Sequence, residues 1–246
     1  LAHEFFLDLL LERLIRQKIQ ARLGGKLKYF ISGGAALNPE IGSFFMALGV
    51  KLLQGYGQTE ASPVISANRP GKIKIETVGP PVAGVEVRVA ADGGILVRGD
   101  LLMKGYWRDD HSTAATIRDG WLYTGDIGSC DDDGYITITG RKKEIIVNSG
   151  GENIVPSRVE ALLTIEPEIE QALVDGDRRP WLAAVIVPSA EARAAAASDE
   201  ALKLLIAETV ERANSRLSQI ERVRQFIIAD EGFTTENSQL TATLKV

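Results

Sequence analysis

Residues 27–60 of the chain read LKYFISGGAALNPEIGSFFMALGVKLLQGYGQTE. Leu27–Ser32 is a short apolar run ended by Gly33-Gly34, the pattern of a buried strand and its turn. Asn38-Pro39 then supplies an N-cap side chain and a residue whose φ is preset for a first helical turn. A helix is therefore expected to about Leu48. Val50–Leu53 is a second apolar run, closed by the glycine turn Gly55-Tyr56-Gly57. Two strands joined by a crossover helix pair as parallel neighbours. Both glycine turns then leave the same carboxyl edge, where open α/β sheets bind nucleotides.

Upstream, residues 5–15 (FFLDLLLERLI) are apolar but interrupted by Asp8, Glu12 and Arg13. They lack a basic leader, a cleavage site and the ~20 apolar residues of a membrane span. Phe6, Leu9, Leu10 and Leu14 recur at helical spacing, which predicts an amphipathic helix packed on the domain. A membrane-surface or partner-binding helix is the alternative. Downstream, Val85–Val89, Ile95–Val97, Trp121–Tyr123 and Tyr135–Thr139 are short alternating runs between Gly and Asp turns, which predict hairpins or a small barrel. Beyond Arg141-Lys142-Lys143 the texture is mixed again. A helix opens at Pro156-Ser157, strands are expected at Ala172–Val174, Leu182–Val187 and Phe226–Ala229, and a long helix at Asp199–Leu217.

Composition narrows the function classes. The 246 residues carry 28 Lys plus Arg against 33 Asp plus Glu, a net charge of −5 that argues against a sequence-blind nucleic-acid binder. Residues 143–246 alone balance at −6, so the charge turns negative near Lys143. The one cysteine, Cys130, excludes an intrachain disulfide and a multi-cysteine metal site. It suits a reducing, cytoplasmic setting, with attachment at a membrane surface as the variant that the 5–15 segment allows.

Five blocks occur in order: SGGAALNPE at 32–40, QGYGQTE at 54–60, YTGD at 123–126, GRKKEIIVNSGGENIV at 140–155 and TATLK at 241–245. Together they strongly resemble the adenylate-forming superfamily of acyl-CoA synthetases, luciferases and peptide-synthetase adenylation domains. Within it, the chain looks most like a long-chain fatty acid–CoA ligase. The resemblance implies a fold of α/β plus α+β character. Residues 1–142 would be the end of a large AMP-binding domain, with a βαβ unit and a small antiparallel β-barrel. Residues 143–246 would be a small, mobile α+β lid. The family's phosphate loop does not precede Gly33, and the chain begins at Leu1 rather than Met. It is therefore expected to be the carboxyl-terminal part of a longer ligase, inactive alone.

The same resemblance implies the site. Gly33, Gly34 and Ala35 would let backbone approach adenine, with Gly55, Tyr56 and Gly57 beside them and the Tyr56 ring stacked on the base. Thr59 would bond the α-phosphate and Glu60 would hold Mg²⁺. Asp126 would accept the ribose hydroxyls and Arg141 would reach the ribose or phosphate. Lys143 would be the hinge, Gly150 and Gly151 would admit the pantetheine arm of coenzyme A, and Lys245 would stabilise charge at the α-phosphate during adenylation. ATP, a fatty acid and coenzyme A are the implied substrates, and AMP a product. Taken singly, each residue has a plainer reading. Tyr56 could pack on its own sheet, Thr59-Glu60 could cap a helix, Asp126 could sit in a tight turn, and Arg141 could form a structural ion pair.

Other features carry less. Asp131-Asp132-Asp133-Gly134 lacks the further ligands of a calcium loop and reads as a solvated hairpin turn. His3 and His111 have no partners at metal spacing. Two other functions remain open: an adenylating enzyme that delivers its acyl group to a carrier-protein thiol, and a non-catalytic nucleotide-binding module.

Overall fold

The computed structural model describes residues 12–240 and divides the chain into two compact units, one ending at Lys142 and the other beginning at Lys143. Lys245, Thr241 and most of the 5–15 segment lie outside the described residues. The described end of that segment, Glu12–Arg16, is a π-helical turn that continues as α1 (Gln17–Arg22). α1 buries no residue, and Leu14 and Ile15 are exposed, while Phe6, Leu9 and Leu10 of the expected apolar face lie outside the described residues. Arg16 Nε donates to the Ala47 carbonyl.

In the first unit, β1 (Phe30–Ser32) and β2 (Leu52–Gly57) are parallel neighbours joined by α2 (Pro39–Ala47). The helix starts where Asn38 caps it, its side chain accepting from the Glu40 amide at 2.8 Å, with Pro39 in the first turn. β3 (Val64–Ala67) adds antiparallel to β2. Only Gly42 of α2 is buried, while Ile41, Phe44 and Phe45 are exposed, as are Phe30 and Ile31 of β1. A crossover helix ordinarily covers its sheet with an apolar stripe, so this face is unusually open.

The antiparallel section is an open sheet rather than the barrel expected. β4 (Glu86–Val89), β5 (Gly94–Arg98), β7 (Trp121–Cys130) and β6 (Ile117–Arg118) lie in that order, and β8 (Ile136–Arg141) also pairs with β7. Closure would require β4 to meet β6 or β8, and no such pairing exists among the described residues. The ten residues of β7 serve three partners, and register shifts against β5 and β8 bend it. Between β5 and β6 lies α3 (Asp110–Thr116), capped by the Asp109 side chain. The core of this unit includes Ala61, Ile65, Ile95, Val97, Leu122 and Ile136. The acidic run is a hairpin turn, as expected. The Asp131 side chain accepts from the Asp133 and Tyr135 amides, and Lys74 bridges Asp131 and Asp133 at 2.6 and 2.7 Å.

The second unit is α+β. A small hairpin of β9 (Ile146–Val147) and β10 (Asn153–Ile154) leads to α4 (Pro156–Leu163). A three-stranded sheet follows in the order β11 (Ile169–Asp175), β12 (Leu182–Pro188), β13 (Val223–Ile228), with α5 (Ala190–Ala195) and α6 (Asp199–Asn214) between the last two strands. α6 stops three residues short of Leu217, where the pattern placed its end. The buried Asn214 amide there pairs with both the N–H and the carbonyl of Val223, each at 2.9 Å, and so pins the start of β13.

Glu160 is a half-buried carboxylate of this unit that accepts from the Val174 amide at 3.0 Å. Burial, aided by the charge of Glu144, holds its carboxyl above the usual range despite that bond. The folded state therefore retains a proton that the unfolded chain has lost, and stability falls as pH rises above the ordinary glutamate value of about 4.3. Glu160→Gln keeps an acceptor for Val174 without the charge. It should raise the melting temperature at pH 7 by a few degrees at most and flatten its decline with pH, as followed by circular dichroism. A lower melting temperature at pH 7 would contradict the burial argument.

No helix among the described residues is long and apolar enough to cross a membrane.

Candidate functional site

The parallel register sets Ser32 opposite Gln54, so the next residues, Gly33 and Gly55, meet at the carboxyl edge. A methyl group on Gly33 would lie 3.2 Å from the Gly55 carbonyl oxygen, which explains glycine there by space. Gly34 has a φ of +85° and open surroundings, so its glycine is explained by conformation. Ala35 follows it, exposed.

Gly55-Tyr56-Gly57 is not the turn expected but the end of β2, paired antiparallel with Ala67, Ser66 and Val64 of β3. Glycine ordinarily signals a turn, whereas here it admits a neighbouring backbone. The β2–β3 register shifts between Tyr56 and Gly57, and there the Pro63 carbonyl occupies the space a side chain would need. Likewise the YTGD block lies inside β7, with Gly125 at a φ of +78°.

Together with β8, these two strands bring three of the expected residues into contact. Asp126 of β7 sits directly opposite Arg141 of β8, and Arg141 Nε donates to its Oδ1 at 3.0 Å. The Tyr56 hydroxyl donates to Oδ2 at 2.5 Å. Thr124 steadies this part of β7, its hydroxyl donating to the Ile95 carbonyl and accepting from the Asp126 amide. Asp126 is only 4% exposed, a buried charge that is both paired and hydrogen-bonded. Burial, followed by the bond to Asp126, drives the Tyr56 phenol far above its usual range, so Tyr56 is a donor and not a base. A carboxylate has about four lone-pair sites, so each Asp126 oxygen can accept one more bond. Two neighbouring hydroxyls of a ligand would match that capacity.

Thr59 and Glu60 follow β2 in a short 3₁₀ turn, Thr59–Ala61, anchored by the fully buried Ala61. Thr59 is exposed. Glu60 is tied twice to a distant segment: its carbonyl accepts from the Met103 amide, and its Oε1 accepts from the Tyr106 hydroxyl, both at 2.8 Å. Burial and the Glu60 acceptor hold the Tyr106 phenol above its usual range. Tyr106 was not identified from the sequence. It lies 46 residues from Glu60, and its only local signal is the preceding Gly105, whose φ is +149°.

Lys143 is exposed and follows Lys142, whose side chain pairs with Asp92 at 2.5 Å. Gly150 and Gly151 form the tip of the β9–β10 hairpin. The Asn148 side chain accepts from the Gly150 and Glu152 amides, and Gly151 has a φ of +81°. No group of three metal-ligating side chains occurs among the described residues. Glu60 therefore belongs to no larger cluster of such side chains. That fits Mg²⁺, which keeps several waters and binds through one or two carboxylates plus substrate phosphates.

Residues 4–107 match the family described as AMP-binding enzyme, and residues 143–245 match the AMP-binding enzyme C-terminal domain. The chain is 41% identical over 250 residues to the long-chain-fatty-acid–CoA ligase FadD15 of Mycobacterium tuberculosis, an overlap of 96% of this chain and 42% of that protein. It is 34% identical over 265 residues to the chloroplastic long-chain-fatty-acid–[acyl-carrier-protein] ligase AEE15 of Arabidopsis thaliana, covering 98% of this chain and 36% of that one. Among solved structures it is similar to the A-PCP didomain of carboxylic acid reductase from Segniliparus rugosus in complex with AMP. The TM-score is 0.79 and the identity 28%, over 94% of this chain and 34% of that one. The chain thus spans less than half the length of these relatives.

Proposed function

Because the chain belongs to the AMP-binding enzyme family, we propose that it forms the back part of an AMP-forming ligase joining a long-chain fatty acid to coenzyme A. The observation that carries this reading is the convergence of Tyr56, Asp126 and Arg141 beside the Gly33–Gly55 edge of a parallel strand pair. That arrangement suits a nucleoside: small residues for a flat base and a buried carboxylate for vicinal hydroxyls. The uncovered apolar side chains of β1 and α2 support a larger domain, completed by further chain on that face.

Two half-reactions follow. The fatty acid carboxylate attacks the α-phosphorus of ATP and pyrophosphate leaves, giving acyl-adenylate. The thiol of coenzyme A then attacks the acyl carbonyl and AMP leaves. Asp126 would accept from both ribose hydroxyls while Tyr56 and Arg141 hold its two oxygens in place, which fixes the α-phosphate relative to the attacking carboxylate. The Thr59 hydroxyl would donate to the α-phosphate. Mg²⁺, held by Glu60, would supply neutralisation of phosphate charge. Lys245 would bring a mobile positive charge to the developing negative charge, a role suited to an ammonium on a flexible stem. Lys143 would serve as hinge and Gly150-Gly151 as the backbone that admits the pantetheine arm.

The similarity to an acyl-carrier-protein ligase favours a second reading, in which a carrier thiol replaces coenzyme A. Incubating the full-length enzyme with ATP, a long-chain fatty acid and either thiol separates the two. The expected products are acyl-CoA, AMP and pyrophosphate. Acyl-carrier without any acyl-CoA would select the second reading, and release of no AMP with either thiol would end both.

A further inference from the structure

We propose that Tyr106 is a positioning residue for Glu60, aiming its carboxylate at the metal–nucleotide complex. This rests on the adenylating function above.

Glu60 sits in a three-residue turn, where a side chain with three rotatable bonds has many orientations and loses entropy when held in one. The Tyr106 hydroxyl selects one of them by donating to Oε1, and Oε2 has no protein donor among the described residues. The backbone that carries the ring is fixed from behind. The Tyr106 amide donates to Thr113 Oγ1 at 2.9 Å, and the Thr113 hydroxyl donates to the Asp109 carbonyl at 2.8 Å. Asp109 in turn caps α3 through the Ser112 amide. Gly105 fits against Thr113, where a methyl group would come within 2.9 Å of Cγ2. The Met103 amide holds the Glu60 carbonyl from the same segment, while Leu101 and Leu102 pack on the core that contains Ala61. Helix α3 and its cap therefore hold the Tyr106 backbone, and the phenol holds the carboxylate.

A tyrosine that merely packs would not affect the metal. The test uses the full-length enzyme and Mn²⁺ as probe, with its affinity read by electron paramagnetic resonance in the presence of a non-reacting ATP analogue. Tyr106→Phe keeps the ring and should weaken Mn²⁺ binding about ten- to a hundredfold, the usual cost of removing a partner that orients a metal ligand. The metal concentration for half-maximal pyrophosphate exchange should rise in parallel, with the KM for fatty acid unchanged. Thr113→Val, which frees the Tyr106 backbone, should shift both in the same direction by less. It also serves should Tyr106→Phe fail to fold. Glu60→Gln separates the two levels of the argument. If it weakens Mn²⁺ binding and neither Tyr106→Phe nor Thr113→Val does, the positioning role is wrong. If Glu60→Gln has no effect on Mn²⁺, the assignment of Glu60 to the metal fails, and this proposal with it.

Discussion

Asp126→Ala in the full-length enzyme is expected to weaken AMP binding by at least about a hundredfold. Each hydrogen bond from a ribose hydroxyl to a carboxylate is worth about 1.5–3 kcal/mol net, and about 1.4 kcal/mol is a factor of ten. Two such bonds would be lost together. Stability suffers as well, because the half-buried Tyr56 hydroxyl loses its acceptor, an additional cost of about 1–3 kcal/mol. Arg141 is half exposed and can turn to water. Asp126→Asn keeps an acceptor oxygen and removes the charge, so its loss of affinity should be smaller. Calorimetric titration with AMP, beside a melting curve for each variant, measures both effects. A folded Asp126→Ala enzyme that binds AMP as tightly as its parent would remove the ribose from the role of Asp126.

Gly57→Ala is expected to unfold the first unit or leave it insoluble. The added carbon would lie 1.6 Å from the Pro63 carbonyl oxygen and 2.7 Å from its carbon, both backbone atoms, so β2 and β3 must separate. A change of this kind belongs to the exceptional class above about 4 kcal/mol. The contrast is Gly151→Ala, where nothing lies within 4 Å and only a left-handed φ of +81° resists. That substitution should cost about 1 kcal/mol. Soluble yield and thermal unfolding of the two variants side by side check the difference. Equal stability would mean that β2 and β3 do not approach as closely as described.

Much of the fold was legible from short-range chemistry. Asn38-Pro39 opens α2 because a side-chain acceptor and a preset φ act within two residues of each other. The apolar runs at Phe30–Ser32 and Leu52–Leu53 flank a helix, and handed crossover connections make such strands parallel. The glycines misled in an instructive way. Gly55, Gly57 and Gly125 read as turns, yet all three lie in strands. Nothing along the chain distinguishes a glycine needed for its φ from one needed for a neighbour's backbone, since the neighbour arrives from elsewhere. The barrel reading failed for a related reason. Alternation identifies strands, but closure depends on whether the outermost two pair, and among the described residues β4 pairs only with β5.

The site divides along the same line. Residue types, their order and their spacing specified the family, the kinds of element and the candidates Tyr56, Glu60, Asp126 and Arg141. Local periodicity and motif blocks act within a few residues, so they reach that far without folding the chain. Which candidates touch was set by strand register and loop packing. Asp126 meets Arg141 fifteen residues on because β7 and β8 align them, Tyr56 reaches Asp126 across seventy residues, and Tyr106 reaches Glu60 across forty-six. A hydrogen bond forms only within about 3 Å and in a narrow range of angles. No one-dimensional pattern carries that information for residues so far apart, and it exists only once the sheets and the α3 segment have packed.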